Sequence, residues 1–266
     1  MNKETATMAR KRDPQDPLEV LRALLESLSL TTASRRLGEL LAEAEKKHPS
    51  YSEFLRQILD AEEGSRWERK IQRRTHRSKL GPAVSLDGFD WSIRPQLSPQ
   101  VVKELLTCRF IDEHRNVILV GRPSTGKTTV ARAIGHAACA KAMSVYYAST
   151  AEILAALHAA RADGTYRKVF RRVAESELLL LDDAGFADLG RDAANELFRV
   201  VCARYRVRST VIATNLPFKQ WGEFLPSPAQ AVAIADRLID DATILRFGGK
   251  PYRQPRDVHG APLDTE

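Results

Sequence analysis

Gly121-Arg122-Pro123-Ser124-Thr125-Gly126-Lys127-Thr128 follows the pattern Gly-x-x-x-x-Gly-Lys-Ser/Thr. Glycines at this spacing let the main chain turn successive N–H groups inward, and the lysine adds a cation where they converge. That combination suits phosphate oxygens. The apolar residues Val117 to Val120 read as a buried parallel strand feeding the loop, and a helix is expected from Lys127 to about Lys141. The helix would present its positive end to the same anion, with Gly121 to Thr129 around it, Lys127 on the outer phosphates and the Thr128 hydroxyl on Mg²⁺. A nucleoside triphosphate is the expected ligand.

A second stretch, Glu177-Leu178-Leu179-Leu180-Leu181-Asp182-Asp183, reads as an apolar strand that delivers two carboxylates at its C-terminal end, where open α/β sheets bind ligands. Asp182 would help to fix Mg²⁺, and Asp183 would orient a water on the terminal phosphate. Taken alone, the same residues also describe a strand end meeting a helix cap. The strand Thr210 to Thr214 ends in Asn215-Leu216-Pro217-Phe218; Asn215 is placed to hold the water or sense the phosphate, although Asn-Leu-Pro is also an ordinary turn.

These groups must be carried by an α/β domain. After a helix from Ser98-Pro99 to about Cys108, the order is strand, phosphate loop, helix, then the strand Ser144 to Ala148 and a helix from Thr150 to about Ala160. The Asp182 strand follows, then a helix over Asp192–Arg206, the Asn215 strand, a helix over Ala229–Asp240 containing Asp236-Arg237-Leu238, and a short strand Ala242–Leu245. This β-α-β-α rhythm predicts a central parallel sheet covered by helices on both faces. The tail Phe247-Gly248-Gly249-Lys250-Pro251-Tyr252-Arg253 closes the ordered chain.

Ahead of this domain the pattern is helical. Asp16-Pro17-Leu18-Glu19 opens a helix to about Leu30, with Leu18, Leu21, Leu24, Leu25 and Leu28 on a face expected to be buried. A second helix runs from about Ser34 to Lys47, and the capping box Ser50-Tyr51-Ser52-Glu53 opens a third. Between Arg66 and Lys79 stand seven Lys or Arg residues against the single acid Glu68. On a helix, Arg66, Arg69, Lys70, Arg73 and Arg77 form one stripe, which is either a track for nucleic-acid phosphates or a solvated face. Trp67 is expected in the core of its own module. The segment Arg161 to Arg172, with Lys168, Arg171 and Arg172, is a second candidate nucleic-acid surface or an ordinary exposed helix. Gly81 to Gly88 has turn composition, so residues 1–80 are expected as a small helical domain, 81–95 as linker, 96–255 as the nucleotide domain and 256–266 as a disordered tail.

Composition narrows the classes. With 266 residues and a net charge of +7, the chain suits two domains and an anionic partner. Cys108, Cys139 and Cys202 lack the close pairs that zinc or thiol redox chemistry needs. No apolar run reaches the length of a membrane span, and Met1 to Arg12 lacks the apolar centre of a secretory signal, so a cytoplasmic location without membrane partners is expected.

Taken in order, Gly121 to Thr128, Leu178 to Asp183, Thr214 to Phe218 with Trp221-Gly222, and Asp236-Arg237-Leu238 resemble the IstB family of insertion-sequence transposition ATPases. That family lies in the AAA+ branch that also holds the DnaC-type helicase loaders and DnaA-type initiators. The resemblance covers about Leu18 to Arg253 and implies an AAA+ P-loop NTPase fold, with Walker A at Gly121 to Thr128, Walker B at Asp182 and Asp183, and sensor 1 at Asn215. It further implies an arginine finger at Arg237 that reaches a neighbouring subunit's ATP, a sensor 2 role for Arg253, and DNA contacts by Lys168, Arg171, Arg172 and the N-terminal module. Two departures stand out. Asp183 occupies a place where many relatives carry Glu, which points to slow hydrolysis, and Arg122 and Ser124 replace the more usual Pro and Gly.

The expected activity is an ATPase, stimulated by DNA, that uses ATP and Mg²⁺. It would assemble on duplex DNA as a homo-oligomer with ATP at subunit junctions, and recruit or stimulate the transposase of the same element. The nearest alternative is a DnaC-type helicase loader that binds single-stranded DNA. A small-molecule phosphoryl transferase and a non-hydrolysing nucleotide switch are the rivals from other classes.

Overall fold

A computed structural model describes residues 16–185 and 189–249. The chain divides into two units, Met1–Lys70 and Ile71–Glu266. The division falls inside a helix, ahead of the turn-rich stretch where composition suggested a boundary.

The first unit contains α1 (Pro17–Ser27), α2 (Thr31–Lys47) and most of α3 (Tyr51–Ser78). The Asp16 side chain caps α1 by accepting from the Leu18 N–H at 3.0 Å, and Ser50 and Glu53 form the expected reciprocal box at the start of α3. The expected burial of α1 fails: Leu21, Leu24 and Leu28 are 46%, 54% and 68% exposed, and no residue of the helix is buried. Leucines at helical spacing make a helix amphipathic, but they do not specify what covers its face. Glu62 is instead the organising group of this unit. Its buried carboxylate accepts from the N–H groups of Thr32 and Ala33 at 2.7 and 3.1 Å, which caps α2, and from Arg66 at 3.0 Å and Arg69 at 3.1 Å. Burial raises its proton affinity, but the N–H groups of Ala33 and Thr32 together with Arg66 outweigh it and hold the carboxyl below its usual value.

The second unit continues with α4 (Pro99–Leu106), α5 (Arg109–Asp112), β1 (Val117–Gly121), α6 (Lys127–Ala140), β2 (Val145–Ser149), α7 (Thr150–Ala162), α8 (Tyr166–Ala174) and β3 (Leu178–Ala184). After these come α9 (Arg191–Arg204), β4 (Ser209–Thr214), α10 (Trp221–Phe224), α11 (Pro228–Ile239) and β5 (Thr243–Phe247). The five strands form one all-parallel sheet in the order β2-β3-β4-β1-β5. Alternate residues of β1, β2, β3 and β4 enter separate cores, whereas β5 buries only Leu245 and Phe247 on one side. Val117, Leu119, Leu178, Leu180, Val211 and Ala213 pack with Val130, Ile134 and Val102 of α6 and α4. Ile118, Leu179, Leu181 and Ile212 pack with Leu157, Val173, Leu197 and Ile234 from α7, α8, α9 and α11. With both faces covered, these strands have no polar side to show, and that explains their continuous apolar runs.

The stretch 81–95 is flanked by buried residues and contributes one buried apolar side chain of its own. Leu80, Phe89 and Leu97 are buried in the α4–α6 core, and the Phe89 ring stands 4.6 Å from that of Trp91.

Candidate functional site

The loop after β1 leads into α6 through Gly126 at φ 97°, so the first turn of the helix faces the cavity above the strand ends. This cavity, about 750 Å³, is lined by Pro123 to Thr129, Asp182, Asp183 and Tyr147, with Ser85, Gly88 and Phe89 supplying another part of its wall. Gly121 and Arg122 act through their carbonyls, which accept from the Lys127 ammonium at 2.7 and 2.8 Å. Burial pulls that ammonium below its ordinary pKa, against the opposing charges of Asp182 and Asp183.

Both aspartates line one cavity although neighbours in a regular strand face opposite ways. The cause is a register shift in β3 between Leu181 and Ala184, where Asp183 takes φ 53° in the left-handed region. Such a bulge re-aims one side chain of a strand. Asp182 Oδ1 accepts from the Thr128 hydroxyl at 3.2 Å and the Asp183 N–H at 3.0 Å, and its Oδ2 accepts from the Tyr147 hydroxyl at 2.9 Å. Burial and then the Asp182 charge raise the Asp183 carboxyl above the usual range, with Lys127 pulling the other way. Burial and the same carboxylate push the Tyr147 phenol up. A hydroxyl facing a carboxylate fits Mg²⁺, which takes few protein oxygens and completes its shell with phosphate and water. No cluster of three or more acidic, His or Cys ligands occurs among the described residues.

Asn215 lies one residue beyond β4, beside the end of β3. Its Oδ1 is buried and has no hydrogen-bond partner among the described residues, and an added Cβ on Gly185 would stand 3.5 Å from it. Arg237 is not part of the cavity wall. Its guanidinium donates to the Ala233 carbonyl at 2.8 Å and lies over the rings of Phe198 and Tyr205 at 5.3 and 5.9 Å. Arg253 lies outside the described residues.

The basic residues separate into two groups. Arg66 and Arg69 are tied to Glu62, and Arg66 also donates to the Ser29 carbonyl at 2.8 Å, so the helical stripe is not a uniform row of outward cations. Glu62 stands one turn before Arg66, a sequence signal that the charge count passed over. Trp67 is 48% exposed rather than in the core, with the Lys70 ammonium 5.2 Å from its ring centre. Further along, Arg74 and Arg77 at the end of α3 meet Arg167, Lys168, Arg171 and Arg172 of α8 along one groove of about 1500 Å³. Arg172 donates to the Arg77 carbonyl at 2.9 Å and lies 5.1 Å from the Tyr146 ring, which Lys79 approaches at 5.8 Å. The α8 end of this groove is fixed by Arg204, a buried cation that donates to the carbonyls of Val173, Ala174, Ser176 and Ser209 and to the Thr210 hydroxyl.

The family described as IstB-like ATP binding protein matches residues 23–259. The chain belongs to that family. Among its relatives is a protein of insertion sequence IS21 from Pseudomonas aeruginosa, described as ATP-binding, which is 31% identical over 233 residues, 88% of each chain. A counterpart from insertion sequence IS5376 of Geobacillus stearothermophilus is 31% identical over 226 residues, covering 85% of this chain and 90% of the other. In fold, this IstB-like chain resembles AMPPCP-bound DnaA from Aquifex aeolicus, with a TM-score of 0.54 at 22% identity over 64% of this chain and 51% of that one. It also resembles DnaI, with a TM-score of 0.51 at 18% identity over 65% and 92%. The IstB-like chain thus belongs to a family of ATP-binding proteins, the two relatives above being encoded by insertion sequences, and it has an AAA+ P-loop fold. Among its described residues, no helix is long and apolar enough to cross a membrane.

Proposed function

We propose that this protein is a DNA-stimulated ATPase that assembles on duplex DNA as a homo-oligomer and recruits or stimulates the transposase of its own insertion sequence. The observation that carries this reading is the presence, in one unit, of a phosphate-loop cavity with two carboxylates and a separate groove lined by six cations. The loop N–H groups and Lys127 would hold the phosphates of ATP, and Thr128 and Asp182 would hold Mg²⁺. Bound Mg²⁺ offsets phosphate charge. Asp183, whose carboxyl burial and the Asp182 charge raise above the usual range, would orient the attacking water, and the orphaned Asn215 Oδ1 is free to accept from that water. Arg237, absent from its own cavity wall, is available to a neighbouring subunit's ATP, with Arg253 as a second cation.

For DNA, Arg77, Lys168, Arg171 and Arg172 are joined by Arg74 and Arg167, while Lys70 and Arg73 keep a secondary role and Arg66 and Arg69 serve Glu62 first. The Tyr146 ring is already occupied by cations of its own chain, so the groove favours duplex phosphates over stacked single-strand bases. A cytoplasmic location accords with that role. The test is sedimentation velocity with matched duplex and single-stranded DNA, each with no nucleotide, ATP or a non-hydrolysable analogue, followed by a transposase pull-down. Nucleotide-dependent growth on duplex is expected. Growth on single strands alone would replace this reading with a helicase loader.

A further inference from the structure

Arg94 sits before α4, in the stretch that composition marked as linker, yet it is only 1% exposed. Its Nε donates to the Thr125 carbonyl at 3.0 Å, and a terminal nitrogen donates to the carbonyls of Ile93 at 3.2 Å and Gly248 at 3.1 Å. Thr125 belongs to the phosphate loop, and Gly248 follows β5 at the edge of the sheet. One planar guanidinium therefore joins the loop to the end of an edge strand, using donors held in a fixed fork.

The surrounding backbone leaves that bridge little room to shift. Gly249 takes φ 82°, and a Cβ on it would collide with the Ile93 carbonyl; a Cβ on Gly121 would collide with the Phe247 carbonyl. In a trans peptide the carbonyl and the following N–H point in opposite directions. With the Thr125 carbonyl held by Arg94, the Gly126 N–H is turned away from Arg94, and Thr125 and Gly126 both border the cavity.

We propose that Arg94 is a positioning residue for nucleotide binding, which sets the orientation of the Thr125–Gly126 peptide and locks the phosphate loop to the Phe247-Gly248-Gly249 turn. The proposal rests on the cavity being the ATP site. Arg94 does not line that cavity, so an affinity measurement alone would not separate positioning from general stability.

The experiment compares wild type, Arg94→Lys, Arg94→Gln and Gly249→Ala by hydrogen exchange of the nucleotide-free proteins and by equilibrium titration with a fluorescent ATP analogue. In Arg94→Gln and Gly249→Ala, exchange at the loop amides from Ser124 to Lys127 should rise by about tenfold while β1 and β4 keep their protection, and nucleotide affinity should fall by about tenfold. Arg94→Lys, with one point charge in place of the fork, should fall between them and wild type. Unchanged loop exchange in Arg94→Gln would overturn the proposal. So would an equal loss of protection across β1, β4 and α6, because Arg94 would then serve general core stability alone. Failure of the wild type to bind the analogue would remove the ATP reading instead, while the exchange comparison would still test the loop contact.

Discussion

The phosphate cavity and the basic groove lie against the same edge strand, β2, and are built in opposite ways. In the cavity, the reactive groups are satisfied by one another: Lys127 rests on the Gly121 and Arg122 carbonyls, and Asp182 accepts from Thr128, Asp183 and Tyr147. A ligand entering there replaces existing partners, and the geometry is set before it arrives. In the groove, among the described residues, six cations face a single lining acid, Glu175, which pairs with Arg171. Such a surface attracts a polyanion without reading its sequence. On the proposed reading, the difference separates a site for one chemical group from a surface for a polymer, and substitutions should respond accordingly.

The largest effect is expected at Arg204, which anchors the end of the groove helix. Arg204→Ala strands several buried carbonyls, and stability should fall by about 3–5 kcal/mol, read as the midpoint shift in a denaturant titration. A shift within error would mean that α8 holds its place without this cation. Next comes Lys127→Ala, which should weaken ATP by roughly ten- to a hundredfold while leaving nucleotide-free DNA binding unchanged. Equal losses of both would erase the distinction between the two regions. A smaller, salt-dependent loss is expected from the pair Lys168→Ala and Arg171→Ala. Each lost phosphate contact should flatten the slope of log affinity against log salt by about 0.9, with ATP affinity untouched. An unchanged slope would remove α8 from the DNA surface.

The same contrast explains what was legible in the sequence. The cavity is written in contiguous motifs, and the strands Val117–Gly121 and Leu178–Ala184 lie within a residue or two of their expected places because apolar runs flanked by loop residues leave little alternative. Four-residue helices such as α5 and α10 carry no full period of pattern, and they went unforeseen. The groove depends on Arg77 meeting Arg172 across 95 residues of chain, which no local pattern encodes. Arg66 and Arg77 look alike in a helical stripe, and only the buried Glu62 tells them apart. Arg94 was hidden for a related reason. Its partners are main-chain carbonyls, and carbonyls have no letter in a sequence.

Tyr146 and Tyr147 bring the comparison down to two adjacent side chains. Strand alternation sends Tyr146 into the core with α7 and α8 and turns Tyr147 to the other face, where its hydroxyl donates to Asp182. Tyr147→Phe removes one oxygen and leaves the ring, so melting temperature should hold within a degree or two. Asp182 would then keep only its Oδ1 partners, and the carboxylate would have more freedom to turn. The loss of one hydrogen bond to a charged group should weaken Mg²⁺-dependent nucleotide binding by roughly three- to tenfold, measured as the difference in calorimetric affinity with and without Mg²⁺. DNA binding in the absence of nucleotide should not move, because the altered atom lies on the cavity side of β2. If the variant instead changed DNA affinity and left the Mg²⁺ dependence alone, the strand would not be insulating the two regions, and they would have to be treated as one.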